Sequence, residues 1–190
     1  MRALKWALTG IAAWALATSA MALELEGYTV DESCVVAGKT LHMLGTPAVR
    51  KRGYFKVDVT SLYLPAPRHS LADIDKLPGP KRLQLIILRD LSGSTLSHYF
   101  LSDFKLAATD EEFKSLINEV GQTGAYYAQV GTIKQGTIVD FDWIPDQHGF
   151  TVLINGKPLG PPMKSELMYQ IFLRMYIAKP DYLRESILGH

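Results

Sequence analysis

The 190-residue chain sets 20 Lys and Arg against 19 Asp and Glu, a net charge of +1, and is 47% hydrophobic. That balance lacks the basic excess nucleic-acid binding asks for and suits a globular domain large enough to bury its own core. A single cysteine, Cys34, excludes an internal disulfide framework, so the fold must rest on packing.

Met1–Ala22 reads as a secretory signal peptide. Arg2 and Lys5 open it, Trp6–Thr18 is predominantly apolar, and Ala20-Met21-Ala22 puts small residues where a signal peptidase reads them. The apolar stretch is shorter than the ~20 residues a bilayer span needs, so cleavage after Ala22 is expected rather than anchoring. No Cys sits at the junction, which argues against a lipoprotein. The mature chain is then periplasmic or secreted, with no stable membrane insertion, and residues 23–190 form one domain. No repeat, linker or low-complexity tract divides it.

Short strands are expected around Gly27–Val30 and Val35–Met43, with Cys34 a buried structural thiol. Gly45 and Pro47 mark a turn, and three cations, Arg50, Lys51 and Arg52, follow it. A longer strand covers Tyr54–Leu64. Its alternate positions Phe55, Val57, Val59, Ser61 and Tyr63 are set to pack on a core, and Lys56, Asp58 and Thr60 to look the other way. That polar set is either an ordinary half-solvated face or the floor of a cleft with Arg50 at its mouth. Pro65 and Pro67 close the strand.

Lys81–Arg89 is a near-continuous apolar strand. Ser92–Ala107 repeats Leu96, Tyr99, Phe100, Asp103 and Phe104 at helical spacing. Thr109 with Glu112 forms a capping box opening a helix over Asp110–Val120 or somewhat beyond, which Gly121 and Gly124 loosen or end. Strands over Thr137–Ile144 and Phe150–Ile154 flank a turn at 145–149. Asn155-Gly156 is a strong hairpin signal, leading to a short edge at Lys157–Leu159. Ser165–Ile177 and Asp181–Leu188 are helical. The order predicts an α+β fold, an antiparallel sheet with helices on one face.

Few residues cluster for chemistry. The five histidines are dispersed, with no zinc-ligand spacing, and no metal or cofactor is expected. Asp140 and Asp142 share a strand face opposite Val139, Phe141 and Trp143; they read as its wet side rather than a cation or proton-sharing pair. Ser97, His98 and Asp103 make no triad, because neighbouring helical residues point apart.

The turn, Arg and strand of Leu44–Leu64 resemble the start of the chalcone isomerase family, in particular its bacterial chalcone isomerase-like branch. The stretches RLQLIILRDLSGSTLSHYFLSDF (82–104), GTIVDFDWIPDQHGFTVLINGKPLG (136–160) and MYQIFLRMYIAKPDYLRESILG (168–189) agree in order. The resemblance implies an open-faced β-sandwich. It also implies a cleft in which catalytic members use an Arg, two Thr, a Tyr and an Asn for an intramolecular oxa-Michael cyclisation. Here the Arg falls on Arg50, the strand Thr on Asp58, the helix Tyr on Leu96, the helix Asn on Asp103 and the last Thr on Met175. One of the five is kept, so the plant reaction is not expected.

Non-catalytic members of the family include fatty-acid-binding proteins whose Arg holds a lipid carboxylate. The resemblance therefore implies binding of a small apolar, amphipathic or fatty-acid-like ligand by Arg50, Asp58, Leu96, Phe100, Asp103 and Met175. Arg50 is free for that task if Asp58 pairs with Lys56 or Arg52 instead. An isomerase or intramolecular lyase with Asp58 or Asp103 as general base is a second reading, and a structural or partner-binding periplasmic module a third.

Overall fold

A computed structural model describes residues 22–147, 149–178 and 181–190; the expected leader, Ala22 apart, and His148 of the expected turn lie outside them. Strands β1 (Ala22–Leu25) and β2 (Tyr28–Asp31) form a hairpin of their own. β3 (Ser33–Val36), β4 (Lys39–Arg52), β5 (Phe55–Leu64), β6 (Lys81–Ile87), β9 (Ile138–Ile144), β10 (Gly149–Ile154) and β11 (Lys157–Pro158) make one antiparallel sheet. Its spatial order is β11-β10-β9-β6-β5-β4-β3. The intervening β7 (Leu91–Ser92) and β8 (Thr132–Ile133) form a small separate pair that the sequence did not signal. Asn155 and Gly156 take φ of 47° and 76°, the expected tight turn between β10 and β11.

Two departures from the sequence reading matter for the site. The strand expected over Val35–Met43 is broken by a turn at Ala37-Gly38, both at positive φ, which Ala rarely adopts and so does not advertise. The Gly45–Pro47 turn is instead a bulge inside β4, shifting the register between Leu44 and Ala48. Gly45 sits there at φ 59°, against the backbone of Ser186, Ile187 and Gly189, where a Cβ has no room. The cations Arg50 to Arg52 therefore end a strand rather than occupy a loop.

The helices are α1 (Leu71–Lys76), α2 (Gly93–Ala107), α3 (Asp110–Ser115), α4 (Ile117–Gln129), α5 (Glu166–Ile177) and α6 (Asp181–Leu188). α1 was not expected, although Ser70 caps it by accepting from the Asp73 N–H, a signal present in Ser70-Leu71-Ala72-Asp73. Ser92 and Ser165 cap α2 and α5 in the same way. The capping box forms as expected: Thr109 Oγ1 accepts from Glu112 N (3.2 Å) and Glu112 Oε2 from Thr109 N (2.8 Å). The helix it opens breaks at Leu116, and α4 runs straight through Gly121 and Gly124. No helix among the described residues is long and apolar enough to cross a membrane.

The sheet's two faces are used differently. Leu62, Leu64, Leu83, Leu85, Ile87, Val139 and Phe141 form the main core with α2, α4 and α5. Phe172 of α5 lies at its centre, with ring centroids 4.7 Å from Phe150, 5.1 Å from Phe141 and 5.5 Å from Phe100. Truncating it to Ala removes roughly 3–5 kcal/mol of stability. On the opposite face Val59 and Ile86 pack under Val30 of the β1–β2 hairpin. The expected alternation of β5 holds for Val59 and Tyr63, but the larger core lies on the side of Asp58 and Thr60. Asp58, Thr60, Leu62 and Leu64 face the helices, with Val59, Ser61 and Tyr63 behind them. Val57, set off by an irregularity in the β4–β5 register, joins the main core.

Candidate functional site

Arg50 and Asp58 are direct cross-strand partners on β4 and β5. Arg50 Nε donates to Asp58 Oδ2 at 2.9 Å, and Nη2 makes a second, short bond to the same oxygen. Thr60 Oγ1 donates to Asp58 Oδ1 at 2.8 Å. Arg50 Nη1 reaches Asp103 Oδ2 of α2 at 3.5 Å, and Arg52 pairs closely with the same oxygen. The four charged groups form a chain of ion pairs, Asp58–Arg50–Asp103–Arg52, of zero net charge. Asp58 and Thr60 are fully buried, so this polar face is not half-solvated.

The pairing left open by the sequence is settled by register and by competitors. Lys56 is drawn to Glu26 (2.7 and 2.8 Å) and Arg52 to Asp103, which leaves Asp58 to Arg50. Arg50 is therefore not a free cation. Burial alone opposes its charge, but Asp58 and Asp103 outweigh that effect and leave the guanidinium more firmly protonated than in water. Its carbon also lies 4.6 Å from the Tyr176 ring centre, as Arg52 does over Tyr99.

Behind the quartet lies a cavity of about 30 Å³. Arg50, Asp58, Leu96, Phe100 and Asp103 line it, joined by Leu85, Ile87, Val139 and Phe141 and by Tyr99, Tyr127 and Tyr176. Such a volume holds about one or two waters, and no lipid chain enters until side chains move. Burial pushes the Tyr176 phenol up to about 12 and the Tyr127 phenol well above its ordinary value, so both remain O–H donors at the cavity wall.

Met175 does not belong to this wall. Successive residues on a helix point about 100° apart, and it is Tyr176 that turns inward. Met175 lines a second, more open hollow of about 270 Å³ with Asp103, Leu106, Ala107, Arg174 and Ala178. Asp103 is the residue that borders both spaces. As general bases the two carboxylates are badly placed: Asp58 is held by Arg50 and Thr60, and Asp103 by two guanidinia. The sequence reading gave no site role to Tyr99, Tyr127 and Tyr176; it had Thr60 only as a possible cleft floor and Arg52 only as a possible partner of Asp58. Tyr99 had a usable signal, lying three residues after Leu96 on the same helix face.

Two other expectations resolve on the far side of the sheet. Asp140 and Asp142 do sit opposite Val139, Phe141 and Trp143, but they are buried rather than wet. Arg82 grips Asp142 with two bonds of 2.7 Å, and Gln84 donates to Asp140 at 2.9 Å. No metal-holding group of His, Cys, Asp or Glu forms among the described residues. Cys34 is half-buried beside Val36, Leu41 and Tyr63; burial pushes its thiol up to about 11 and keeps it un-ionised at neutral pH.

The chain belongs to the chalcone isomerase-like family, which it matches over residues 22–189. Among solved structures it is similar to a fatty-acid binding protein of Arabidopsis thaliana, AtFAP1, with a TM-score of 0.69 at 16% identity. That likeness covers 88% of this chain and 96% of the plant one. It establishes the shared fold. No curated protein sequence matches the chain.

Proposed function

We propose that this is an exported, non-catalytic binding module for a small, largely apolar ligand whose polar end meets Arg50, Tyr127 and Tyr176. The observation that carries the reading is an apolar cavity closed on one side by a charge-neutral Arg50–Asp58–Asp103–Arg52 quartet. The plant structural neighbour, titled a fatty-acid binding protein, supports a lipid-like ligand class. The quartet refines that class. An ionised carboxylate gains no uncompensated cation here and must compete with Asp58 for the Arg50 fork. A neutral polar end, such as a hydroxyl, carbonyl or ester, accepts from the phenols without disturbing the pair. Entry requires α2 to yield, since Leu96, Tyr99, Phe100 and Asp103 all stand on it.

Native mass spectrometry of the purified chain, with titration of a long-chain alcohol and the matching fatty acid, tests this. The alcohol is expected to bind more tightly, and Asp58→Asn to shift preference toward the acid. A chain that takes up neither removes the reading. Export follows from the leader expected at Met1–Ala22; a periplasmic fraction whose mature protein starts at Leu23 is the expected result.

A further inference from the structure

The β4–β5 hairpin closes through a two-residue loop, Gly53-Tyr54, between the paired Arg52 and Phe55. Gly53 takes φ 57°, as the first position of a type II′ turn requires. This short, fixed turn holds Tyr54 wholly in solvent (102% exposed) and Phe55 59% exposed. Adjacent aromatics at a rigid tip are apolar surface that the fold leaves uncovered.

The charges around them are mostly positive. Lys51, Arg52, Lys56 and Arg89 surround the tip, and the Arg89 guanidinium lies 4.2 Å over the Phe55 ring. The carboxylates that face this group are Glu26, taken by Lys56, and Asp103, taken by Arg52. Lys51 and Arg89 have no carboxylate within 4.0 Å among the described residues, and Asp90 beside Arg89 is turned to Lys134. Two cations thus remain uncompensated next to two exposed aromatics. A second copy of the chain is a poor occupant, because facing tips would oppose like charges.

We propose that the tip at residues 53–55 docks on an anionic phospholipid bilayer, with Tyr54 and Phe55 in the headgroup layer and Lys51 and Arg89 on lipid phosphates. The inference stands on the hairpin and is independent of what the cavity holds.

Residues 1–22 of the full chain can meet a bilayer by themselves, so the readout must be local to the tip. Tyr54→Trp places an indole there, and its fluorescence above the parent's reports its surroundings. With phosphatidylcholine–phosphatidylglycerol vesicles the added indole is expected to shift to the blue and to be quenched by brominated acyl chains. Phosphatidylcholine alone should do neither. Lys51→Glu in the same background lowers the apparent affinity about tenfold, and Phe55→Ser in that background weakens the indole's blue shift and quenching further. Circular dichroism melts unchanged from the parent exclude misfolding as the cause. The proposal is overturned by an added indole that stays in water while vesicles bind elsewhere, or by equal response to both vesicle types. A blue shift that grows with protein concentration without lipid overturns it too.

Discussion

Two Arg–Asp pairs bridge neighbouring strands of the one sheet, from opposite faces. Arg50–Asp58 joins β4 to β5 and Arg82–Asp142 joins β6 to β9, each in direct register and each two-pronged. Around Arg82 the neighbours are polar and complete: Asp140 lies 3.6 Å away, and Gln84 satisfies Asp140 in turn. Around Arg50 they are aromatic and aliphatic, and space is left over. A buried ion pair alone therefore says little about function. Unfilled volume beside it, with donors on the wall, is what separates a candidate site from a structural clamp.

The largest expected effect is loss of one partner. Asp58→Ala leaves Arg50 charged, buried and dependent on Asp103 at 3.5 Å, costing roughly 3–5 kcal/mol in urea denaturation. Asp142→Ala costs less, because Asp140, 3.6 Å from Arg82, serves no second guanidinium, whereas Asp103 is already held by Arg52. Equal losses would erase the contrast. Next comes Thr60→Val, nearly isosteric, which removes one bond to a buried carboxylate and lowers stability by about 1–3 kcal/mol.

A pH titration sharpens the comparison further. Burial raises the Asp140 carboxyl more than Arg82 and Gln84 lower it, so the folded chain holds that proton more tightly than the unfolded one. Its contribution is full below the ordinary value of 3.8 and is lost as pH rises through the raised folded value. Glu112, at the helix cap, runs the other way. Hydrogen bonds from Arg174 hold it below 4.5, so its contribution is present above that value and lost as pH falls through the folded one. Asp140→Asn is expected to flatten the first slope and Glu112→Gln the second, read from denaturation midpoints across the acid range. The smallest effect is Tyr176→Phe: a change in stability within about 0.5 kcal/mol, with weaker ligand binding in the titration.

What the sequence disclosed was local. The capping box at Thr109, the Asn155-Gly156 turn and the extent of β5 each depend on residues a few positions apart. The site was legible only in part, because its logic runs between strands. Asp58 and Thr60 read equally as a solvent face or a cleft floor until Arg50, eight residues back, is seen to neutralise Asp58 from the next strand. Tyr127 and Tyr176 carry no spacing signal relative to Arg50; they meet it through the packing of α4 and α5 over the sheet. Met175 was misplaced by one residue, which on a helix is enough to exchange one hollow for another.

The β4 bulge has a consequence for what holds the site in place. Gly45 lies against the chain of α6, and Thr46 reaches the Ser186 carbonyl 140 residues along. Joining segments so far apart in the chain costs closure entropy that the local hairpins of the sheet do not bear. The strand that carries Arg50 is therefore braced at its bulge by the far end of the chain, so shortening that end touches the site's frame without touching any residue of the site.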